Sequence, residues 1–250
     1  MNFAIISAIL PVVILLIFIY RKDKYQPEPI GKLLLTFFVG CLSVIPASLQ
    51  ETALMALDLT SAPVASGLYT GYVVAGFSEE LWKLLLLLLV IWRSRYFDEY
   101  FDGIVYAAYL SLGFACVENI MYVAGSDAPG SIALTRGLLA VPAHFLFAVI
   151  MGYHLSLAKF DPSRRKTHLF HALVYPLLMH GTYDSLLMVS DNLGSDESQY
   201  AVVGFLFILF IVFDIKMWRW GLKRIKRLQE RSKEQTFDRE HPFDGFTWNV

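Results

Sequence analysis

The sequence predicts an all-α protein, a polytopic membrane helical bundle of about seven transmembrane helices. Three observations predict it. Of the 250 residues, 56% are apolar and 17% are charged, against about a quarter charged in a soluble domain; the mean hydropathy is +0.51. The apolar residues fall in runs long enough to cross about 30 Å of hydrocarbon as a helix. Lysine and arginine gather in every second connection. Nothing alternates with period two, so a closed β-barrel is excluded and helices are left as the spanning structure.

The seven runs are Phe3–Tyr20, Leu33–Leu57, Gly67–Trp92, Gly103–Val123, Leu138–Ala158, Leu169–Val189 and Tyr200–Trp220. The first lacks a basic stretch before it and a small-residue cleavage site behind it, so it reads as a retained span and not as a signal peptide. Arg21, Lys22, Lys24 and Lys32 separate the first two spans. Arg93 and Arg95 follow the third. Lys159, Arg164, Arg165 and Lys166 separate the fifth and sixth, and nine cations from Lys216 to Arg239 end or follow the seventh. The opposite connections, Thr60–Ser66, Ala124–Gly137 and Ser190–Gln199, are rich in Gly, Ser, Asp and Pro and hold only Arg136. Positive residues stay inside, which places the N-terminus outside and the C-terminus in the cytoplasm. Residues 1–220 form the bundle and 221–250 a basic, then mixed-charge, cytoplasmic tail, read as a solvated helix able to contact anionic lipid.

The net charge of -1 carries no information about partners, because the charges are segregated across the bilayer. No nucleic-acid partner is expected, and the oligomeric state stays open. Cys41 and Cys116 lie within apolar runs and read as buried free thiols.

Ionisable groups at bilayer depth cost several kcal/mol each, roughly, and are functional candidates by default. The third span holds Glu79, Glu80 and Lys83, the fourth Glu118 and Asn119, the fifth His144, the sixth His180 and Asp184. Carboxylates and imidazoles on four helices are the material of a metal or hydrolytic site. Glu79 and Lys83 are four apart and able to pair, which leaves Glu80 freer to act as a base. Adjacent glutamates point about 100° apart, so the two have different roles. A structural ion pair is the alternative. His144 follows Pro142, expected to bend its helix beside a cavity. His180 and Asp184 share a face, so the carboxylate sets the imidazole tautomer. Alone, Glu118–Asn119 or His144 would read as a hydrogen-bonded packing group. His154, His168, His171 and His241 read as bland, with His171 on roughly the opposite face from His180.

In order, these motifs resemble the PrsW family of intramembrane metalloproteases, within the group that includes the CAAX-processing membrane proteases. The matching stretches are Tyr20-Arg-Lys-Asp-Lys-Tyr-Gln-Pro-Glu-Pro29, Glu79-Glu80 with Lys83, Gly113-Phe-Ala-Cys-Val-Glu-Asn-Ile-Met-Tyr122, Pro142-Ala-His144 with Met151-Gly-Tyr153, and His180-Gly-Thr-Tyr-Asp184. The resemblance implies a protease of the bacterial plasma membrane that cuts a membrane-anchored, single-pass protein, an anti-sigma factor at its first site. It implies Glu79 and Glu80 as the glutamate pair and His144 and His180 as the essential histidines. The larger group has an arginine four residues after its second glutamate, where this chain has Lys83 three after, and often a histidine at the place of Glu118.

The expected chemistry is water attack on a peptide carbonyl. Glu79 or Glu80, with Glu80 favoured, is the base. Glu118, His144 and His180 are the metal ligands, with zinc as the metal. Asp184 orients His180, and Lys83 and Asn119 support the site. A metal-free glutamate–histidine site, with Asn119 helping an oxyanion, uses the same residues. A proton-coupled transporter and a non-catalytic scaffold or immunity protein are the rival readings. The first usually shows an inverted repeat, which is not seen.

Overall fold

The computed structural model describes residues 2–58, 62–194 and 197–240, and among them every regular element is helical. The helices are α1 (Asn2–Lys22), α2 (Ile30–Met55), α3 (Pro63–Tyr69), α4 (Ser78–Ile91), α5 (Asp102–Ala124), α6 (Pro129–Leu138), α7 (Ala140–Phe160), α8 (Arg165–Leu193) and α9 (Tyr200–Glu240). Thr70–Phe77 is π-helical and joins α3 to α4, so Pro63 to Ile91 runs as one interrupted rod.

Among the described residues five segments are long and apolar enough to cross a membrane: Phe3–Lys22, Ile30–Met55, Asp102–Ala124, Pro129–Phe160 and Glu197–Arg239. The protein is therefore a multi-pass membrane protein. The other two expected spans, along Pro63–Ile91 and α8, form helices of adequate length but carry five of the seven ionisable groups singled out within the spans, Glu79, Glu80, Lys83, His180 and Asp184, which lowers their apolarity. The expected connection Ala124–Gly137 is corrected in part: it contains α6, begun by Pro129 at a position where the missing N–H loses nothing. Pro142 is a second correction. It sits in the first turn of α7, where backbone N–H groups have no intrahelical partner, so it bends nothing. Thr60 and Ser195, in two of the expected connections, and His241 and the tail from 241 on lie outside the described residues.

The centre of the bundle is α5 against α7. Their apolar windows are 72% and 83% buried, against 28% for α1 and 11% for α9. They approach closely because Gly103 and Gly152 face each other: a Cβ on Gly152 would lie 2.2 Å from the Gly103 carbonyl oxygen, which only small residues permit. A second close contact aligns the π-helical segment with α8. A Cβ on Gly181 would meet the Tyr72 ring at 2.2 Å, and one on Gly71 would meet Ser185 Oγ at 2.3 Å. These two crossings bring the start of α4, the second half of α5, the start of α7 and the middle of α8 around one point.

The helix α9 continues through Gly221 to Glu240 and lays a stripe of Phe210, Met217, Ile225 and Leu228 on the bundle, spaced for one helical face. Its tail bonds the segments beside it: Gln229 donates to the Lys22 carbonyl, Gln235 to the Asp98 carbonyl, and Ser232 accepts the Phe101 N–H. Lys159 donates to the Trp92 carbonyl. The lysine- and arginine-rich segments thus gather at one end of the bundle.

Candidate active site

The sequence places Glu79 and Glu80 directly after the π-helical segment, in the first turn of α4. A π-helical stretch shifts the register of the helix beyond it, and such stretches are frequent at functional sites. Both glutamates and Lys83 are buried. Lys83 Nζ donates to Glu79 Oε2 and Glu80 Oε1, each at 2.9 Å, and lies 3.1 Å from His144 Nδ1. This corrects the expectation that Lys83 pairs with Glu79 alone. The α-helix places i+3 and i+4 on the same side, so one ammonium reaches both carboxylates. The Phe114 ring lies under the ammonium, 4.1 Å from centroid to Nζ.

His144 is held between two charges. An ammonium can only donate, so Nδ1 accepts from Lys83 and the proton of a neutral ring is on Nε2, which faces Glu118 Oε2 at 2.9 Å. Glu118 also pairs with Arg136 at 2.7 Å. His180 presents Nδ1 to Glu80 Oε1 at 3.0 Å and Nε2 to Asp184 Oδ2 at 3.1 Å, so the expected partnership with Asp184 is present. Phe147 stacks on His180, with centroids 4.7 Å apart, and fixes the ring plane.

One ligand atom from each of Glu79, Glu80, His144 and His180 lies within 4.8 Å of the others. Two nitrogens and two oxygens at that spacing suit zinc, and one oxygen of Glu80 is buried without a hydrogen-bond partner among the described residues. Residence of a metal requires the Lys83 ammonium to swing away. Glu118 stands outside this four-donor group, as the partner of His144 Nε2. That differs from the expected ligand set of Glu118, His144 and His180, because the Arg136 guanidinium draws the Glu118 carboxylate aside.

A cavity of about 660 Å³ opens onto the group and is lined by Glu79, Glu118, His144, His180 and Asp184 among others. Glu80 and Lys83 do not line it. Asn119 does not line it either: its amide donates to the Ala8 carbonyl at 2.8 Å and accepts from Arg136 Nε at 3.1 Å. Its expected part in an oxyanion site gives way to positioning Arg136. One wall carries Tyr122, Thr135, Arg136 and Asp191, at the end of the bundle away from the basic segments.

Two wall residues were missed by sequence reasoning. Glu51 lines the cavity from α2 and was detectable as a lone carboxylate within the run Leu33–Leu57. Arg136 stood out in the sequence only as the single cation on its side. His154, His168 and His171, read as bland, converge at the basic end beside Arg164, Arg224, Arg227 and Arg231, far along α7 and α8 from His144 and His180.

Comparison with known proteins gives this site a context. Residues 28–213 match the PrsW family of intramembrane metalloproteases. The chain is 35% identical over 229 residues to a protein of Bacillus subtilis called Protease PrsW, covering 90% of this chain and 95% of that one. Proteins of the same name from Clostridioides difficile and Geobacillus kaustophilus are 32% and 33% identical over 234 residues, covering 92% and 93% of this chain and 93% and 96% of theirs. No solved structure matches. With a family match across most of its length, and Glu79, Glu118, His144 and His180 of that stretch on one cavity, the chain belongs to the PrsW family of intramembrane metalloproteases and is an intramembrane protease.

Proposed function

We propose that this protease cleaves a membrane-anchored, single-pass regulatory protein, of the anti-sigma-factor kind, at its first site, on the outer side of a bacterial plasma membrane. The observation that carries this reading is the cavity, where Glu79, His144 and His180 face a space whose lining runs on to Gly125, Thr135 and Asp191, at the end opposite the basic segments. A topology of seven spans, N-terminus outside and C-terminus cytoplasmic, puts that end on the outer side. Residues 1–220 form the catalytic bundle and 221–250 the cytoplasmic tail.

Glu79 is the base in this reading. Sequence spacing favoured Glu80, but Lys83 pairs with both glutamates, and of the two only Glu79 lines the cavity. A water there loses its proton to Glu79 as it attacks the peptide carbonyl, and the same carboxyl returns the proton to the leaving amine. Glu80 holds His180 Nδ1, Asp184 holds Nε2, and Glu118 fixes His144. Arg136 in turn holds Glu118 in place. Three of the four donors, Glu80, His144 and His180, would hold zinc, with Lys83 displaced and the Glu80–His180 contact given up, which leaves Glu79 free as the base. When bound, zinc polarises the carbonyl and makes its water more acidic.

Full-length protein in detergent, given a single-span reporter, tests the reading. Cleavage within or beside the span, lost on chelation and restored by zinc, is the expected result. Cleavage at full rate in metal-free protein removes the zinc and leaves the glutamate–histidine chemistry. Absence of cleavage by folded, zinc-loaded protein across reporters, including an anti-sigma-factor type, overturns the proposal.

A further inference from the structure

Four carboxylates are buried together at the basic end of the bundle, and no part of the protease site uses them. Asp23 and Glu28 lie in the connection from α1 to α2, Glu99 in the connection from α4 to α5, and Asp102 begins α5; their exposures are 4%, 5%, 1% and 0%. Asp102 starts sixteen residues before Glu118, roughly 24 Å along the same helix.

Three of these side chains, Asp23, Glu99 and Asp102, have unused bonding capacity. Asp23 Oδ2 accepts the Glu28 N–H at 2.9 Å, and Asp102 Oδ2 accepts the N–H groups of Asp98 and Glu99 at 2.9 and 2.7 Å. The second oxygens, Asp23 Oδ1 and Asp102 Oδ1, and both oxygens of Glu99, are buried with no partner at hydrogen-bond distance and angle among the described residues; the Ser232 hydroxyl beside Glu99 and the Glu28 carboxyl beside Asp102 are near but do not meet that geometry. Glu28 accepts the Tyr106 hydroxyl. One carboxylate oxygen from each of Asp23, Glu99 and Asp102 lies within 4.8 Å of the others.

Among the described residues no lysine or arginine pairs with any of these groups. Lys22, the neighbour of Asp23, has its ammonium over the Phe18 ring, and Arg239 pairs with Asp98 instead. Buried carboxylates left in this state are strongly unfavourable as anions. Burial pushes Asp23 up to about 6. Burial, with repulsion from neighbouring carboxylates, pushes Glu28 up to about 7 and Glu99 up to about 8.

We propose that Asp23, Glu99 and Asp102, with Glu28 beside them, form a binding site for a hard divalent cation, Mg²⁺ or Ca²⁺. An all-oxygen donor set selects such ions over zinc, and oxygens less than 4.8 Å apart suit an ion bonded to each at about 2.1–2.6 Å. The ion ties the α1–α2 connection, through Asp23, to the start of α5, through Glu99 and Asp102, two segments far apart in the chain. Ser232 on α9 accepts the Phe101 N–H there, and Gln235 accepts the Tyr100 N–H, so an occupied site also anchors the tail. The Tyr20–Pro29 motif, which has no place in the hydrolytic chemistry, supplies two of these carboxylates.

The test uses full-length protein in detergent, stripped with chelator, exchanged into ion-free buffer and titrated separately with MgCl₂ and CaCl₂. Calorimetry should find one saturable ion per chain for at least one of the two. At about a hundredfold excess over Kd the unfolding midpoint should rise by about 5 °C or more. Glu99→Gln and Asp23→Asn should each weaken binding at least ~10-fold, since losing even a residue that only orients a ligand costs about 10- to 100-fold, while His180→Ala leaves it intact and so separates this site from the hydrolytic one. No saturable binding of either ion by the parent protein overturns the proposal, whether or not the variants fold. So does binding unchanged in both variants. A higher midpoint for Glu99→Gln, in a parent that ignores both ions, would show that the carboxyls are held protonated, and overturns it too.

Discussion

Lys83 gives the sharpest stability prediction. Its side chain is 1% exposed and touches Glu79 and Glu80 at 2.9 Å each. At an effective dielectric constant of about 20, each contact is worth roughly 6 kcal/mol of attraction before desolvation is subtracted. Most of that is offset by the loss of hydration, so the informative quantity is what happens when one partner goes. Lys83→Met preserves length and apolar volume but leaves two buried carboxylates facing each other. Breaking a buried pair in this way destabilises by about 3–5 kcal/mol. Reversible unfolding in mixed micelles should therefore show Lys83→Met less stable by about that amount. Lys83→Met combined with Glu80→Gln should regain at least about 1 kcal/mol, because the second change removes an orphaned charge. If Lys83→Met unfolds within about 0.5 kcal/mol of the parent, the ammonium is not the counter-charge that permits the glutamates to be buried.

The same geometry predicts three further outcomes. Glu79→Gln should lower turnover of a reporter at least about 100-fold, the scale of general-base catalysis, with Glu80→Gln less severe because Glu80 acts through His180; steady-state cleavage rates decide, and the reverse order would return the base to Glu80. Asp184→Asn should reduce cleavage about 10- to 100-fold, as expected when the partner of an essential imidazole is weakened, while His171→Ala stays near the parental rate. Single cysteines at Ser126 and Ser163, which lie in connections at opposite ends of the bundle, should react differently with an impermeant thiol reagent in intact cells: Ser126→Cys labels and Ser163→Cys does not, and the opposite pattern inverts the topology.

The helices were legible because a bilayer forces the chain to write them in long apolar runs. Seven runs were expected, and each has a helix along it; five meet a length and apolarity standard by themselves. The principal side chains of the cavity were legible for the complementary reason: an ionisable residue inside an apolar run needs a partner, and Glu79, Glu118, His144 and His180 proved to be one another's neighbours. What could not be read depends on how helices cross. Spacing allowed Glu79 to pair with Lys83 but did not show that Glu80 reaches the same ammonium. It could not show that Glu118, on α5, would be drawn toward Arg136 on α6. Pro142 looked like a bend because its position relative to the helix start, three residues into α7, is a matter of capping. His154 and His168 come together, with nitrogens 3.4 Å apart, across a helix pair whose register no local pattern records. Asp23, Glu99 and Asp102 escaped notice because they lie at run ends, where charges are expected to be solvated, and burial there comes from the tail of α9 folding over them.

The most direct test of the account is the cleavage rate of a single-span reporter by purified His144→Ala and His180→Ala proteins, each first shown to reach the membrane in normal amount and to unfold cooperatively. Both imidazoles line the cavity and each touches a glutamate, His144 on Glu118 and His180 on Glu80. The account predicts that both variants lose cleavage to the limit of detection, while His171→Ala, ~14 Å away along α8, cleaves normally. Parental rates from well-folded His144→Ala and His180→Ala proteins would contradict the placement of the hydrolytic chemistry in this cavity.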